Sequence, residues 1–251
     1  MAELQVMPGA EPWSAEGGSK GALVLHGFTG NPNSMRGVAE ALAEAGFAVE
    51  LPRLPGHGTT VDDMITTGYQ DWLREAEAAY QRLAARCERV VVVGLSMGGA
   101  LTVCLASDHP EIAGIVCINA VVSAPVGMLD MVNGMLSEGM DRMDGIGSDI
   151  ADPDSQESAY AETPLAPLVT LFEAAEEFQG RMGRIACPVL IITSVQDHVV
   201  DPSNSDVLAD AVTGPVERLR LERSYHVATL DYDKDLVRSA TVDFADKVTS
   251  G

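Results

Sequence analysis

The chain has 251 residues, of which 46% are hydrophobic, 21% charged and 5% aromatic; that is enough apolar material for one full-sized core, and it excludes a disordered chain, a collagen-like fibre and a small disulfide scaffold. Sixteen Lys plus Arg against 37 Asp plus Glu leave a formal charge of −21, with Lys20, Lys234 and Lys247 as the only lysines. Without a basic stripe to neutralise phosphates, nucleic acid is disfavoured as a partner, and so are anionic membrane surfaces and strongly anionic substrates.

Met1 to Trp13 carries Glu3 and Glu11 and neither a basic nor an apolar signal region. No later stretch approaches the roughly eighteen uninterrupted apolar residues of a membrane span, so a cytoplasmic protein without a transmembrane segment is expected. Ala22–Leu25 reads as a buried strand, and Pro32–Ala45 as a helix stopped by Gly46. Phe47–Leu51 is a second strand, Pro52–Gly58 a loop with two Pro and two Gly, and Tyr69–Arg86 a long amphipathic helix. Val90–Val93 is apolar at every position, as a strand covered on both faces must be. A helix (Gly98–Ser107), a strand (Gly114–Ile118), a strand (Val189–Thr193), a helix (Asn204–Ala211), a strand (Val216–Leu221) and a final helix (Lys234–Val248) follow. This alternation predicts an α/β fold with a mostly parallel central sheet and helices on both faces. It fails between Asn119 and Cys187, where six of the eleven Met and twelve acidic residues fall without a convincing strand. The chain is therefore divided into a first core part (1–120), a helical insertion (121–185) and a second core part (186–251). Cys87, Cys104, Cys117 and Cys187 have no C-x-x-C spacing and are expected to be buried, reduced thiols.

Gly94-Leu95-Ser96-Met97-Gly98 fits G-x-S-x-G, directly after an all-apolar strand and directly before a helix. A sharp strand-to-helix turn forces the serine into a strained conformation, and small neighbours let its hydroxyl project into a cleft. A serine hydroxyl needs a base, and the base an orienting acid. Of five histidines, His226 alone lies in a loop after the last strand, where a base following serine and acid would be presented. Asp197 sits at the carboxyl end of the preceding strand and is the favoured acid; Asp201, followed by Pro202, reads better as the start of a helix. The amides of Met97, after the serine, and Phe28, after the first strand, are the expected oxyanion donors. His26 and His57 are expected to brace their loops. There is no H-E-x-x-H, no P-loop and no G-x-G-x-x-G after the first strand, so the zinc-peptidase, P-loop and dinucleotide readings lack their parts, and no metal or organic cofactor is expected.

The blocks His26-Gly27-Phe28-Thr29-Gly30, Pro52-Arg53-Leu54-Pro55-Gly56-His57-Gly58, Gly94–Gly99, Asp197-His198-Val199-Val200 and Ser224–Asp231 together resemble bacterial carboxylesterases and monoacylglycerol lipases of the α/β-hydrolase superfamily. The resemblance covers most of the chain and implies an α/β-hydrolase fold with a small helical cap. Ile146-Gly147-Ser148-Asp149 and Glu157-Ser158-Ala159-Tyr160 are similar to the cap of the monoacylglycerol lipase branch, which implies that Glu157 meets the glycerol hydroxyls and Ile146 lines the alcohol pocket. Met128, Met131, Met135 and Met140 recur at helical spacing; they suit the underside of a cap helix, and also an apolar lip making transient contact with lipid aggregates. The expected activity is serine-dependent hydrolysis of a neutral, single-chain acyl ester, monoacylglycerol first and short or medium carboxylesters second. A thioesterase, amidase or carbon–carbon bond hydrolase on the same triad, and a binding module without catalysis, are the alternatives.

Overall fold

The structure is a computed structural model, and it describes residues 5–145 and 147–250. Seven strands form one sheet in the order β1 (Trp13–Ala15), β3 (Ala48–Leu51), β2 (Lys20–Leu25), β4 (Arg89–Leu95), β5 (Gly114–Ile118), β8 (Val189–Ser194), β9 (Val216–Leu221). All neighbours are parallel except β1, which pairs antiparallel with β3 at the edge. This edge strand is too short and polar to be legible in the sequence; the other six lie where the apolar runs place them.

Successive residues of a strand point to opposite faces, and here both faces are buried. Leu23, Leu25, Val92, Ile115 and Cys117 pack on one side with the helices α3 (Tyr69–Ala84) and α4 (Met97–Asp108). Ala22, Val24, Val91, Val93 and Val116 pack on the other with α1 (Arg36–Glu44) and α8 (Lys234–Thr249). The helix α4 is buried over Met97 to Ser107, so its sequence lacks an amphipathic pattern. By contrast α1 ends where a stop is expected: Gly46 takes φ +91°, and the Gly46 and Phe47 amides donate to the Ala43 and Leu42 carbonyls. A short helix, α2 (Val61–Ile65), capped by the Thr60 side chain on the Asp63 amide, was not expected in the loop before α3. Trp72 of α3 is fully buried and donates from Nε1 to the Pro55 carbonyl, fixing the Pro/Gly loop. Among the cysteines, Cys104 and Cys117 are buried, whereas Cys87 and Cys187 are only half-buried, which corrects the expectation for those two; all four are free thiols.

Between β5 and β8 the chain leaves the sheet and forms α5 (Met128–Ser137), β6 (Arg142–Asp144), β7 (Glu162–Pro164) and α6 (Leu165–Gln179). The antiparallel pairing of β6 with β7 corrects the expectation that this segment has no strand; three-residue strands carry too few side chains to show a period. Val132, Leu165, Leu168 and Phe172 from the segment pack with Val121 and Val200 into a third apolar cluster beside the carboxyl ends of the strands. Among the described residues no helix is long and apolar enough to cross a membrane.

The approach of α4 to the sheet is set by glycine. A Cβ on Gly98 would sit 2.3 Å from the Leu25 carbonyl oxygen, and one on Gly94 would sit 2.1 Å from the Gly98 carbonyl oxygen, all backbone atoms with no room to shift. Gly98→Ala is therefore expected to destabilise the fold by about 3 kcal/mol, at the upper end of overpacking costs. Urea unfolding reads this directly, and an unchanged midpoint would mean that the helix can back away from β2.

Candidate active site

The chain runs from β2 outward to β3 and then returns to β4 on the other side of β2, so the loops after β2 and β4 part from each other at the carboxyl edge of the sheet. In open α/β sheets such a divergence is where a crevice forms. Ser96 follows β4 here, with φ +56° and ψ −117°, and is only 6% exposed. Its amide donates to the Ile118 carbonyl at 2.9 Å, and its carbonyl accepts from Ala100 and Val121, so hydrogen bonds on three sides hold the strained residue in place. Thr29 and Asn119, the other non-glycine residues with positive φ among those described, are in the loops after β2 and β5 on the same edge.

His226 and Asp197, 29 residues apart, are brought together by the parallel pairing of β8 with β9. His226 Nδ1 donates to Asp197 Oδ2 at 2.7 Å, and both side chains are nearly buried. The other carboxylate oxygen accepts from the Val199 and Val200 amides at 2.8 Å each. A carboxylate held on both oxygens fixes the imidazole tautomer and leaves Nε2 as the free acceptor. His226 and Ser96 line the same cavity, of about 470 Å³, along with Phe28, Glu157 and apolar side chains such as Leu168 and Phe172. Asp201, one residue before the Pro202 N-cap, accepts from the Ser203 amide at the entry to α7 (Ser203–Ala211), as its neighbours suggest.

Met97 is the first residue of α4, so its amide is among those a helix leaves without an internal partner. Phe28 follows β2, whose residue Leu25 pairs with Gly94, and a Cβ on Gly27 would be 3.4 Å from the Ser96 Cβ. The two expected oxyanion donors thus flank the serine. The Phe28 ring packs edge-on against Trp72 and His57. His26 Nε2 accepts from the Leu54 amide, so the proton sits on Nδ1 and donates to the Gly27 carbonyl. Burial lowers the His26 pKa to about 4, and burial together with neighbouring His26 holds His57 well below its usual range. Both rings are neutral loop braces.

Glu157 reaches the cavity from the segment between β6 and β7. Ser148 Oγ accepts from its amide at 2.9 Å; nearby, Tyr160 donates from its amide to the Thr29 carbonyl and from its hydroxyl to the Gly56 carbonyl. Asn31 Nδ2 closes the same seam on the Ser158 carbonyl. A Cβ on Gly30 would lie 2.7 Å from Glu157 Oε1, so only glycine leaves this carboxyl its place. Burial raises the Glu157 carboxyl to about 7, against the opposing pull of His226. Ile146 lies outside the described residues. Met128 lines the cavity and Met135 packs from α5 against the third apolar cluster, whereas Met131 and Met140 are exposed, at 49% and 39%.

Several residues that tie the site together have no signature in the sequence. Asn119 Nδ2 donates to Ser194 Oγ and to the His226 carbonyl, while its Oδ1 accepts from the Ser194 amide. Asp231, fully buried, accepts from the Tyr225 and Tyr232 amides and from the Ala151 and Asp152 amides across the seam. An Asn at a strand end and one Asp among many acidic residues become distinctive only when their partners are in place.

A parallel sheet with a serine on the turn into a helix, in a cavity shared with an imidazole held by a carboxylate, defines a serine hydrolase of the α/β-hydrolase fold. The chain belongs to the serine aminopeptidase S33 family of hydrolases, which it matches over residues 19–233. It is 46% identical to a thermostable monoacylglycerol lipase of Bacillus sp. strain H-257 over 243 residues, 96% of either chain. It is 28% identical to a carboxylesterase of Bacillus subtilis strain 168 over 240 residues, 95% of this chain and 97% of the relative. A solved structure described with LipS and LipT, two metagenome-derived lipolytic enzymes, superposes with a TM-score of 0.93 at 42% identity, covering 97% of this chain and all of that one.

The low pKa of His26 gives the fold a pH dependence with a definite sign. The folded ring protonates near 4 and the unfolded one near 6.5, so the stabilisation is complete above about 6.5 and is lost as pH falls toward 4, by roughly 3 kcal/mol for this ring. His57 acts in the same direction. Urea midpoints across that range are expected to fall with pH, and His26→Gln to flatten the fall.

Proposed function

We propose that the protein is a monoacylglycerol lipase that hydrolyses a neutral, single-chain acyl ester to a fatty acid and glycerol. Ser96 Oγ attacks the ester carbonyl as His226 Nε2 takes its proton, and Asp197 holds the imidazolium that forms. The amides of Phe28 and Met97 receive the oxyanion, His226 returns the proton to the departing alcohol, and water repeats the sequence on the acyl-enzyme. No step calls on a metal or organic cofactor. The segment 121–185 acts as the cap, and its exposed Val126, Met131 and Met140 offer an apolar lip to lipid aggregates, favouring neutral ones because the chain is so acidic.

The observation that carries this reading is Glu157: a half-buried residue whose carboxyl is desolvated in a largely apolar cavity, beside Ser96 and His226. Desolvated carboxylates hold hydroxyl donors strongly, and glycerol brings two free hydroxyls where a simple alkyl or aryl ester brings none. The relative named as a monoacylglycerol lipase, similar over nearly the whole chain, supports the same substrate. Ile146 is assigned to the alcohol pocket by the resemblance alone.

Initial rates on monoacylglycerol, triacylglycerol and p-nitrophenyl esters of graded length test the assignment. Ser96→Ala is expected to lose about 10⁴-fold or more in kcat on every ester. Glu157→Gln is expected to raise KM for monoacylglycerol about tenfold while leaving p-nitrophenyl esters within about twofold, as the loss of one charged hydrogen bond predicts. Because the Glu157 pKa lies near 7, its hydroxyl-accepting form is depleted as pH falls below that value. The ratio of monoacylglycerol to nitrophenyl-ester turnover is accordingly expected to fall between about pH 8 and 6, and to stay flat in Glu157→Gln. Equal effects on all esters would remove glycerol and leave a general carboxylesterase.

A further inference from the structure

Asp149 is a residue of the segment between β5 and β8, yet its bonds go to the two loops that carry His226 and Asp197. Its Oδ2 accepts from the backbone amide of His226 and from that of His198, each at 3.1 Å. Its Oδ1 accepts from His198 Nδ1 at 2.8 Å, and its own carbonyl accepts from the Val227 amide at 3.1 Å. The His198 ring in turn packs edge-on against Tyr225, with centroids 4.5 Å apart. The Asp149 side chain is 11% exposed. One carboxylate thus bridges the residue after the acid to the backbone of the base.

The same short stretch also orders the alcohol side. Ser148, next in the chain, accepts from the Glu157 amide, and Ala151 and Asp152 donate to the Asp231 carboxylate that also takes the Tyr225 amide. Beyond the Val195 amide, which donates to the Leu221 carbonyl, the two loops are joined by side chains: Ser194 Oγ donates to the Tyr225 carbonyl and Gln196 Nε2 to the Glu222 carbonyl, both short of Asp197 and of the His198 and His226 amides that Asp149 grips. The 2.7 Å bond between His226 and Asp197 therefore depends on what fastens the loops to each other.

We propose that Asp149 is a positioning residue for the hydrolysis, setting the distance between His226 and Asp197 by gripping both of their loops from the insertion. The inference rests on the assignment of Ser96, His226 and Asp197 above. It gives the insertion a role in chemistry beyond covering the substrate: a shift of residues 148–152 moves the base.

The test compares Asp149→Ala and Asp149→Asn by kcat and KM on a p-nitrophenyl ester and on monoacylglycerol, and by the rate at which a fluorophosphonate modifies Ser96. Asp149→Ala is expected to lower kcat about 10- to 100-fold with KM within about threefold, as a small misplacement of a catalytic group does. The fluorophosphonate rate falls in proportion, because it needs the base but no alcohol pocket. Asp149→Asn is expected to recover to within about fivefold of wild type: its amide oxygen can take both backbone donors, and the His198 ring can present Nδ1 as an acceptor to the amide NH₂ by a change of tautomer. A residue that only fastened the insertion would raise KM and lower Tm, leave kcat alone, and overturn the proposal; so would an Asn variant as slow as Ala. Should Asp149→Ala not fold, Asp149→Ser, whose single short oxygen cannot bridge both amides, is expected to show the same fall in kcat, and wild-type kcat there would overturn it. Ser96→Ala separates the two levels. If it retains hydrolysis the triad assignment fails, whereas a dead Ser96→Ala beside a wild-type Asp149→Ala removes the positioning role alone.

Discussion

The site depends first on how closely the backbone of α4 approaches β2 and β4. At Gly94 and Gly98 the chains come so near that a single methyl group would overlap carbonyl oxygens. That approach makes the turn at Ser96 too tight for ordinary backbone angles, and the residue is held at positive φ by bonds to Ile118, Ala100 and Val121. The strain is maintained because the helix is buried over nearly its whole length and has nowhere to relax. It also sets the orientation of everything else: the serine faces the cavity, the first helical amide lies next to it, and the loop after β2 passes within contact distance.

The second requirement is to satisfy polar groups at an edge where the sheet's own hydrogen bonds run out. Loops at the carboxyl ends of β5, β8 and β9 meet here, and each carries backbone donors that cannot be left buried and unpaired. Four side chains do most of this, each bonding to two or more segments: Asn119, Asp149, Asp197 and Asp231. Three are carboxylates accepting amides, the stronger kind of hydrogen bond. So part of the large acidic excess is structural, used inside the seam between insertion and core, and is not only a solvated surface.

The cavity adds a third feature. Its walls are mostly apolar, and among the described residues the ionisable groups lining it are His226, Tyr160 and the carboxyls of Asp149, Glu157 and Asp201, with no Lys or Arg. A site of this kind has no cation to receive an anionic head group, which matches the charge of the chain as a whole. It suits an uncharged ester whose acyl part is buried and whose alcohol part finds an acceptor. The braces behind it are also uncharged: His26 and His57, buried among Phe28 and Trp72, hold the loop after β2 without bringing positive charge to that side of the cavity.

The sequence by itself determined the alternating fold, because a strand buried on both faces must be continuously apolar and a helix that closes on it must be punctuated by Gly. Val90–Val93, Gly46 and the Gly-x-Ser-x-Gly turn all say this locally. It also named Ser96, Asp197 and His226 as the residues to bring together, since each lies in the turn or loop that follows a legible strand. What it left open is where contacts between distant segments decide: the edge strand β1 and the β6–β7 pair, too short to show a period; the division of the methionines between cavity and solvent; and the roles of Asn119, Asp149 and Asp231. A local pattern records which face of an element is buried. It does not record which carboxylate, of the many in an acidic chain, will find two amides from another loop within 3 Å, and that the tertiary structure alone decides.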